Sequence, residues 1–414
     1  MPYSFARSLT ASLFLDLVLV LNGVAGGEDA STSPQRIAPD PATGSSGAVV
    51  VGDVPLLYTG QILPAFPQNK AADAAPDLDA QLNSVFETLQ ELLKSERLGL
   101  EQTVKLNVYA ASDNLAENVR RDLANRFRDL PVPAVSYVTG RLPDPKALVA
   151  LDAVVAMNAA AAEQRRFPRA IAKNGLRRAP LAVQPAGPRV YISGQAEGAP
   201  DMAEATKKTM QSLEKTLKFL ELELDDVVQI KSFLGPMTNV ADARAEIEAF
   251  FNGRTVPPLV FVEWTSSLPI EIELIATSPR RERPQEPIEF VTPPGMTASP
   301  VFCRVTRVNA PETIFVSGLS GQEGAEPAQE VEQIFGTLRM LLLAAGSDLR
   351  HLAKATYYVS TDDASNRLNE IRPKLYDPRR PPAASKAMVS GTGMPRRTIT
   401  IDMIAVRKPT TLGE

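Results

Sequence analysis

The apolar and polar positions of this chain change period in a fixed order. In "LDAQLNSVFETLQELLKS", Leu82, Val85, Phe86, Leu89, Leu92 and Leu93 fall at helical spacing with charge on the opposite side, which predicts an amphipathic helix. "TVKLNVYA" then reads as a strand. "NLAENVRRDLANRFRD" reads as a second helix with Ser112 or Asp113 as its N-cap, and "AVSYVTG" and "LVALDAVVAM" as two closing strands. Ahead of them, "AVVVGDVPLLYTGQI" has the look of a hairpin turning at Gly52-Asp53. The predicted order is ββαβαββ, an α+β unit with its helices on one face of a mostly antiparallel sheet.

That order recurs. The strand around Lys105 returns around Gln229 and Lys354, and the Pro-led strand holding Val135 returns at Leu259 and Ala384, at a spacing of about 124 residues. Such a period is the size of a small domain. Three units are therefore expected, at 47–158, 179–278 and 299–408. Residues 159–178 and 279–298, with Arg clusters and Pro but no strand pattern, read as linkers, and Pro373 is expected to end or kink the last helix.

Composition narrows the chemistry. Of 414 residues, 44% are hydrophobic, the formal charge is −4, and there is one cysteine (Cys303) and one histidine (His351). Disulfides, zinc clusters and Cys/His or Ser/His catalysis are thereby nearly excluded, and no metal or other cofactor is expected. The Arg runs stand isolated in an acidic protein, so no nucleic-acid partner is expected. Residues 1–27 carry Arg7, an apolar stretch from Leu9 to Val24 and then small residues, the order of a secretory signal, although Asp16 interrupts the core. Export is the expectation, with a cytoplasmic location as the alternative, and 28–46 is expected to be a flexible spacer. Nothing later in the chain has the length of a membrane span, so no stable membrane insertion is expected.

Taken in order, "TGQI", "TVKLNVYAAS" and "PAVSYVTGRLPDPKALVALDAVVA", then "SGQA", "FF" and "LPIEIELIA", then "VSG", "AKATYYVS", "PAAS" and "ITIDMIAV", resemble the RidA/YjgF family, also called endoribonuclease L-PSP. The resemblance runs over about 48–408 in three copies. It implies chorismate-mutase-like domains that assemble as trimers, here an intramolecular pseudo-trimer and a compact monomer. It also implies hydrolysis of small imine or enamine metabolites in clefts between neighbouring units. The family clamps the substrate carboxylate with an Arg after Pro-Ala, and the matching positions here are Val135, Leu259 and Ala384, none of which can do so. Its water-orienting Glu matches Ala150, Glu271 and Thr400, and a second acidic position matches Asp152, Glu273 and Asp402.

Glu271 is thus the candidate catalytic residue, and Leu259, on the same repeat, is the expected place to restore a clamp. Gln61, Gln195, Arg141 and Glu273 are candidates for lining a ligand cleft, and Arg141 or Arg304 for a substitute clamp. Two functional classes follow: a deaminase-like hydrolase with degenerate sites, or a non-catalytic scaffold binding a small ligand or a protein. N-terminal sequencing of the protein from its native host is expected to give a start near Ala25–Gly27, whereas an intact Met1 or Pro2 would refute export.

Overall fold

The stripe spanning residues 78–95 is realised as helix α1 (Leu78–Ser95) in the computed structural model, which describes residues 33–66, 77–157, 169–173, 176–279, 286–297 and 299–409. Asp77 starts the helix by accepting hydrogen bonds from the N–H groups of Asp79 and Ala80, at 3.1 and 3.3 Å. Leu82, Val85, Phe86, Leu89 and Leu93 are buried.

Three segments carry the same order of elements. The first comprises β1 (Gln35–Asp40), β2 (Ser45–Val51), β3 (Leu56–Thr59), α1, β4 (Thr103–Ala110), α2 (Asp113–Arg126), β5 (Ala134–Thr139) and β6 (Val149–Ala156). The second comprises β7 (Arg169–Lys173), β8 (Leu176–Gln184), β9 (Arg189–Gln195), α3 (Met202–Phe219), β10 (Val227–Leu234), α4 (Val240–Phe250), β11 (Thr255–Val256), β12 (Leu259–Glu263) and β13 (Ile270–Thr277). The third comprises β14 (Ile288–Val291), β15 (Val305–Val308), β16 (Thr313–Val316), β17 (Leu319–Ser320), α5 (Pro327–Ala344), β18 (Leu352–Val359), α6 (Asp362–Ile371), β19 (Ala383–Met388) and β20 (Ile399–Val406). Ser112 is the N-cap of α2, and α6 gives way to a short 3₁₀ turn at Arg372–Lys374, where Pro373 supplies no N–H.

In each segment four strands lie side by side, with the last strand of the segment antiparallel to both of its neighbours in the second and third (β9-β13-β10-β12 and β16-β20-β18-β19) and β6 so placed in the first (β3-β6-β4-β5). The Pro-led strands β5, β12 and β19 run parallel to β4, β10 and β18. Two helices cover each set and bury a separate apolar cluster beneath them.

The opening strands depart from the expected hairpins. β2 does not pair with β3, nor β8 with β9, nor β15 with β16. Instead β8 pairs with β3, β15 with β9, and β2 with β16, all antiparallel, so each opening strand completes the sheet of another segment. The local pattern could not decide this, because β2 is buried along nearly its whole length and an apolar run with two buried faces does not choose its neighbour. The fully buried Arg189 fastens the exchange by donating to the carbonyl of Val54 at 3.0 Å and to Oγ1 of Thr313 at 2.5 Å, one partner in each of the other segments.

The expected spacer and linkers are also corrected. Residues 35–40 form β1, which pairs with β2, so the 28–46 spacer does not extend through them. β7 and the start of β8 fall within 159–178, and β14 within 279–298 pairs with β15. These stretches gain strand structure from partners distant in sequence, which their own Arg- and Pro-rich composition does not reveal. The expected leader at 1–27 lies outside the described residues.

Between the sheets lies a polar layer. Lys105, Lys231, Lys354, Asp152 and Glu273 are each less than 10% exposed, and Asp402 joins them. Lys105 of the first segment contacts Asp402 of the third at 3.0 Å, and Lys354 of the third contacts Glu273 of the second at 2.8 Å. At the third equivalent place Gln229 stands for the lysine and donates to Asp152 of the first segment at 3.4 Å. Burial opposes the charge on Asp402, but Lys105, Lys231 and Lys354 together outweigh it and hold its pKa below the ordinary carboxylate value. Asp402→Ala would leave Lys105 buried without its carboxylate. The expected loss is about 3–5 kcal/mol in urea unfolding, with a much smaller loss for Lys105→Met combined with Asp402→Leu.

Candidate functional site

Each Pro-led strand meets the Gly-bearing strand end of another segment. Val135 accepts from the N–H of Gly318 at 3.0 Å and donates to Ser317 Oγ at 2.7 Å, joining the first and third segments. Leu259 accepts from the N–H of Gln61 at 2.9 Å, joining the second and first. Ser385, next to Ala384, accepts from the N–H of Gly194 at 3.1 Å, joining the third and second.

This geometry overturns one expectation. Glu271 does not share its surroundings with Leu259 of its own repeat; it lies against Gly194 and beside Ser385, so Ala384 is the clamp position that belongs to it. The reason is the crossing between segments: Leu259 faces the first segment, where the aligned acidic position is Ala150. Val135 likewise faces the third segment, where the position is Thr400, its hydroxyl donating to Thr392 O at 3.0 Å.

Glu271 is mostly buried, and its Oε1 atom has no hydrogen-bond partner. A Cβ at residue 194 would come within 2.0 Å of that oxygen, so only glycine admits the carboxyl group there. Burial pushes the Glu271 pKa up, the neighbouring Glu273 charge raises it further, and Ser385 and Arg304 oppose; the result is about 7. A carboxyl group near neutrality can both take and give a proton at physiological pH.

The other candidates have other employment. Glu273 is bound to Lys354 and accepts from Ser385 Oγ at 2.8 Å, so it belongs to the interior charge layer. Gln195, expected to line a cleft, is corrected: its side chain is buried and donates to Thr216 Oγ1 on α3 at 2.8 Å. Gln61 is half-buried at the junction of the first and second segments, where its side chain donates to the carbonyl of Phe261 at 3.1 Å and accepts its N–H at 3.2 Å. Arg141 is exposed at the end of β5, where its N–H donates to Glu263 at 2.8 Å, away from Glu271. Ser385 was missed; the signal was a serine directly after two of the three clamp positions, Ser136 and Ser385. Among the described residues no group of His, Cys, Asp and Glu is placed to hold a metal ion, and no helix is long and apolar enough to cross a membrane.

A raised carboxyl pKa has a defined linkage. Between about pH 4.5, the ordinary value, and about 7, the folded chain holds a proton on Glu271 that the unfolded chain has released. This group therefore favours folding in acid and loses that contribution as pH rises to 7. Glu271→Gln removes the titration, so it is expected to gain up to about 3 kcal/mol over the native chain at pH 8 and nothing at pH 4, read from urea unfolding at both values.

Residues 179–278 match the family model described as Endoribonuclease L-PSP. No curated protein matches the chain. Solved structures similar to part of it include a YjgF-family protein from Neisseria meningitidis, at 22% identity over 30% of this chain and 97% of that one, TM-score 0.23. A Rid-family protein from Yersinia pestis is similar at 23% identity over 30% and 99%, TM-score 0.26. The YjgF gene product from E. coli is similar at 26% identity over 22% and 80%, TM-score 0.21. It is residues 179–278, and not the chain as a whole, that this match assigns to the RidA/YjgF family, the family of endoribonuclease L-PSP.

Proposed function

We propose that the chain comprises three RidA-like domains, 47–158, 179–278 and 299–408, closed into an intramolecular pseudo-trimer, and that one of its three clefts is a RidA-like hydrolase of small imines and enamines. The exchange of opening strands and the cyclic contacts of the interior charges support the first part. The second part rests on one observation: a single carboxyl group with a pKa near 7, Glu271, stands with an unpartnered oxygen at a junction between segments.

The reaction adds water to a C=N bond. Glu271 as carboxylate takes a proton from the attacking water while oxygen bonds to the imine carbon, and returns it to the nitrogen to give a carbinolamine; it then takes the hydroxyl proton and delivers it to the nitrogen as the C–N bond breaks, so that ammonia leaves and a carbonyl remains. Arg304, whose positive charge acts on Glu271, is the candidate cation for an anionic substrate. It does not replace a bidentate fork. Each charge-assisted hydrogen bond contributes roughly 1.5–3 kcal/mol, so a cleft with Ala384 in the clamp place holds a carboxylate weakly. The non-catalytic scaffold reading draws on the apolar residues at all three clamp positions.

In an assay coupling imine generation to 2-oxo acid release, the native chain is expected to turn over slowly, with an acid limb near pH 7. Glu271→Ala is expected to abolish turnover. Ala384→Arg is expected to raise kcat/KM by at least tenfold, and Leu259→Arg to leave it unchanged. Native turnover that survives Glu271→Ala would overturn the assignment, and turnover absent even from Ala384→Arg would favour the scaffold.

A further inference from the structure

Two carboxyl groups of β13 share one hydroxyl. Glu271 and Glu273 stand at alternate positions of the strand and so project from the same face. Ser385 of β19 meets both from the third segment. Its Oγ donates to Glu273 Oε2 at 2.8 Å and accepts the N–H of Gly194 at 3.1 Å, and it also bonds the carboxyl group of Glu271, whose charged form it favours. Ser385 and Glu273 are each 3% exposed, so bulk water does not stand in for the hydroxyl.

A serine hydroxyl has one proton to give and two lone pairs with which to accept. Gly194 occupies one lone pair, and the other can take the proton of Glu271 in its acid form. The single hydroxyl proton cannot serve two carboxylates at once. Glu273 can release it, because Lys354 of β18 already contacts Glu273 Oε1 at 2.8 Å. Glu271 has no such second partner, and its Oε1 is unbonded.

The surroundings leave the serine this part. The charges acting on Glu271 are Glu273 on its own strand and Arg304 from the chain before β15, and Lys354 acts through Glu273. Lys231 of β10 lies opposite Glu273 in register, whereas the residue opposite Glu271 is Phe233 and its neighbour on β9 is Gly194. Lys386, next along β19, turns to Ser365 and Asn369 of α6, at 2.8 and 3.2 Å. The aligned places differ. Ser136 accepts from Lys105 at 2.7 Å, with Thr400 in place of Glu271, and the remaining place holds Val260, with Ala150.

We propose that Ser385 is a positioning residue for Glu271: its hydroxyl proton lies on Glu273 while Glu271 is an acid and turns to Glu271 when that group becomes a carboxylate, Lys354 holding Glu273 meanwhile. The proposal deepens the hydrolase reading and rests on it for any effect on turnover. Hydrogen bonds to a charged oxygen are about twice as strong as neutral ones, so losing the hydroxyl bears harder on the carboxylate than on the acid.

The test is a carbon-13 NMR titration of the full chain labelled at the glutamate side-chain carboxyl carbon, with the Glu271 signal identified by its absence from Glu271→Gln. The native signal is expected to titrate at about 7. Ser385→Ala is expected to raise that value by about one pH unit, and Ser385→Thr, which keeps a hydroxyl, to titrate with the native chain. If Ser385→Ala does not fold, Ser385→Cys, a weaker donor, is expected to move the value in the same direction. In the 2-oxo acid assay the acid limb is expected to rise with the NMR value. A chain that titrates in this way but releases no 2-oxo acid would refute the hydrolase reading and leave the role of Ser385 standing. The proposal is overturned if Ser385→Ala, or Ser385→Cys in its place, titrates with or below the native chain, or if Ser385→Thr shifts as far as Ser385→Ala.

Discussion

Charges placed inside a sheet-walled interior must find counter-charges there, and in this protein they find them in another segment. Lys105 reaches Asp402, Lys354 reaches Glu273, and Gln229 reaches Asp152, so every contact crosses a segment boundary and the three crossings form a cycle. Removing one partner from a buried pair such as Lys105–Asp402 or Lys354–Glu273 costs several kcal/mol, whereas Asp152 is also held within its own segment by Asn107 at 3.0 Å and Tyr109 at 2.6 Å. Compensation across boundaries therefore acts as a registration device. It specifies which strand faces which more sharply than the surrounding apolar clusters, which tolerate substitution and slippage.

The opening strands work in the same sense through the backbone. β2, β8 and β15 each contribute a full antiparallel ladder to a sheet begun by another segment. Edge strands with unpaired N–H and C=O groups invite association with other chains, and exchange around the cycle covers those edges from within. Arg189 shows how tightly the two devices are joined: one buried guanidinium ties a carbonyl of the first segment to a hydroxyl of the third.

Asymmetry among the three junctions then differentiates them. The junction of second and third segments keeps Glu271 over Gly194, where burial and Glu273 raise its pKa to about 7. The junction of first and third keeps a cavity of about 460 Å³ beside Val135, with Thr400 at the position that corresponds to Glu271. The junction of first and second is bridged by Gln61, whose side chain bonds both backbone groups of Phe261. The three junctions thus differ in chemistry at aligned positions, Ala150, Glu271 and Thr400.

Much of this was legible in the sequence. The α1 stripe from Leu82 to Leu93, the Ser112 cap and the strand at "TVKLNVYA" follow from local periodicity, because a helix or strand must put its apolar residues on the buried side whatever lies beyond. The recurrence of Lys105, Gln229 and Lys354 marked three like segments, and the absence of arginine at Val135, Leu259 and Ala384 needs no coordinates. What the sequence could not hold is which segment completes which. An apolar strand such as β2 accepts several neighbours equally, so its pairing with β16 rather than β3 is decided only when all three sheets form. For the same reason Glu271 was matched with Leu259 by proximity along the chain, whereas the fold sets it beside Ser385 and Ala384. Its raised pKa, likewise, is a property of the burial and the neighbouring charge that the tertiary structure brings to it.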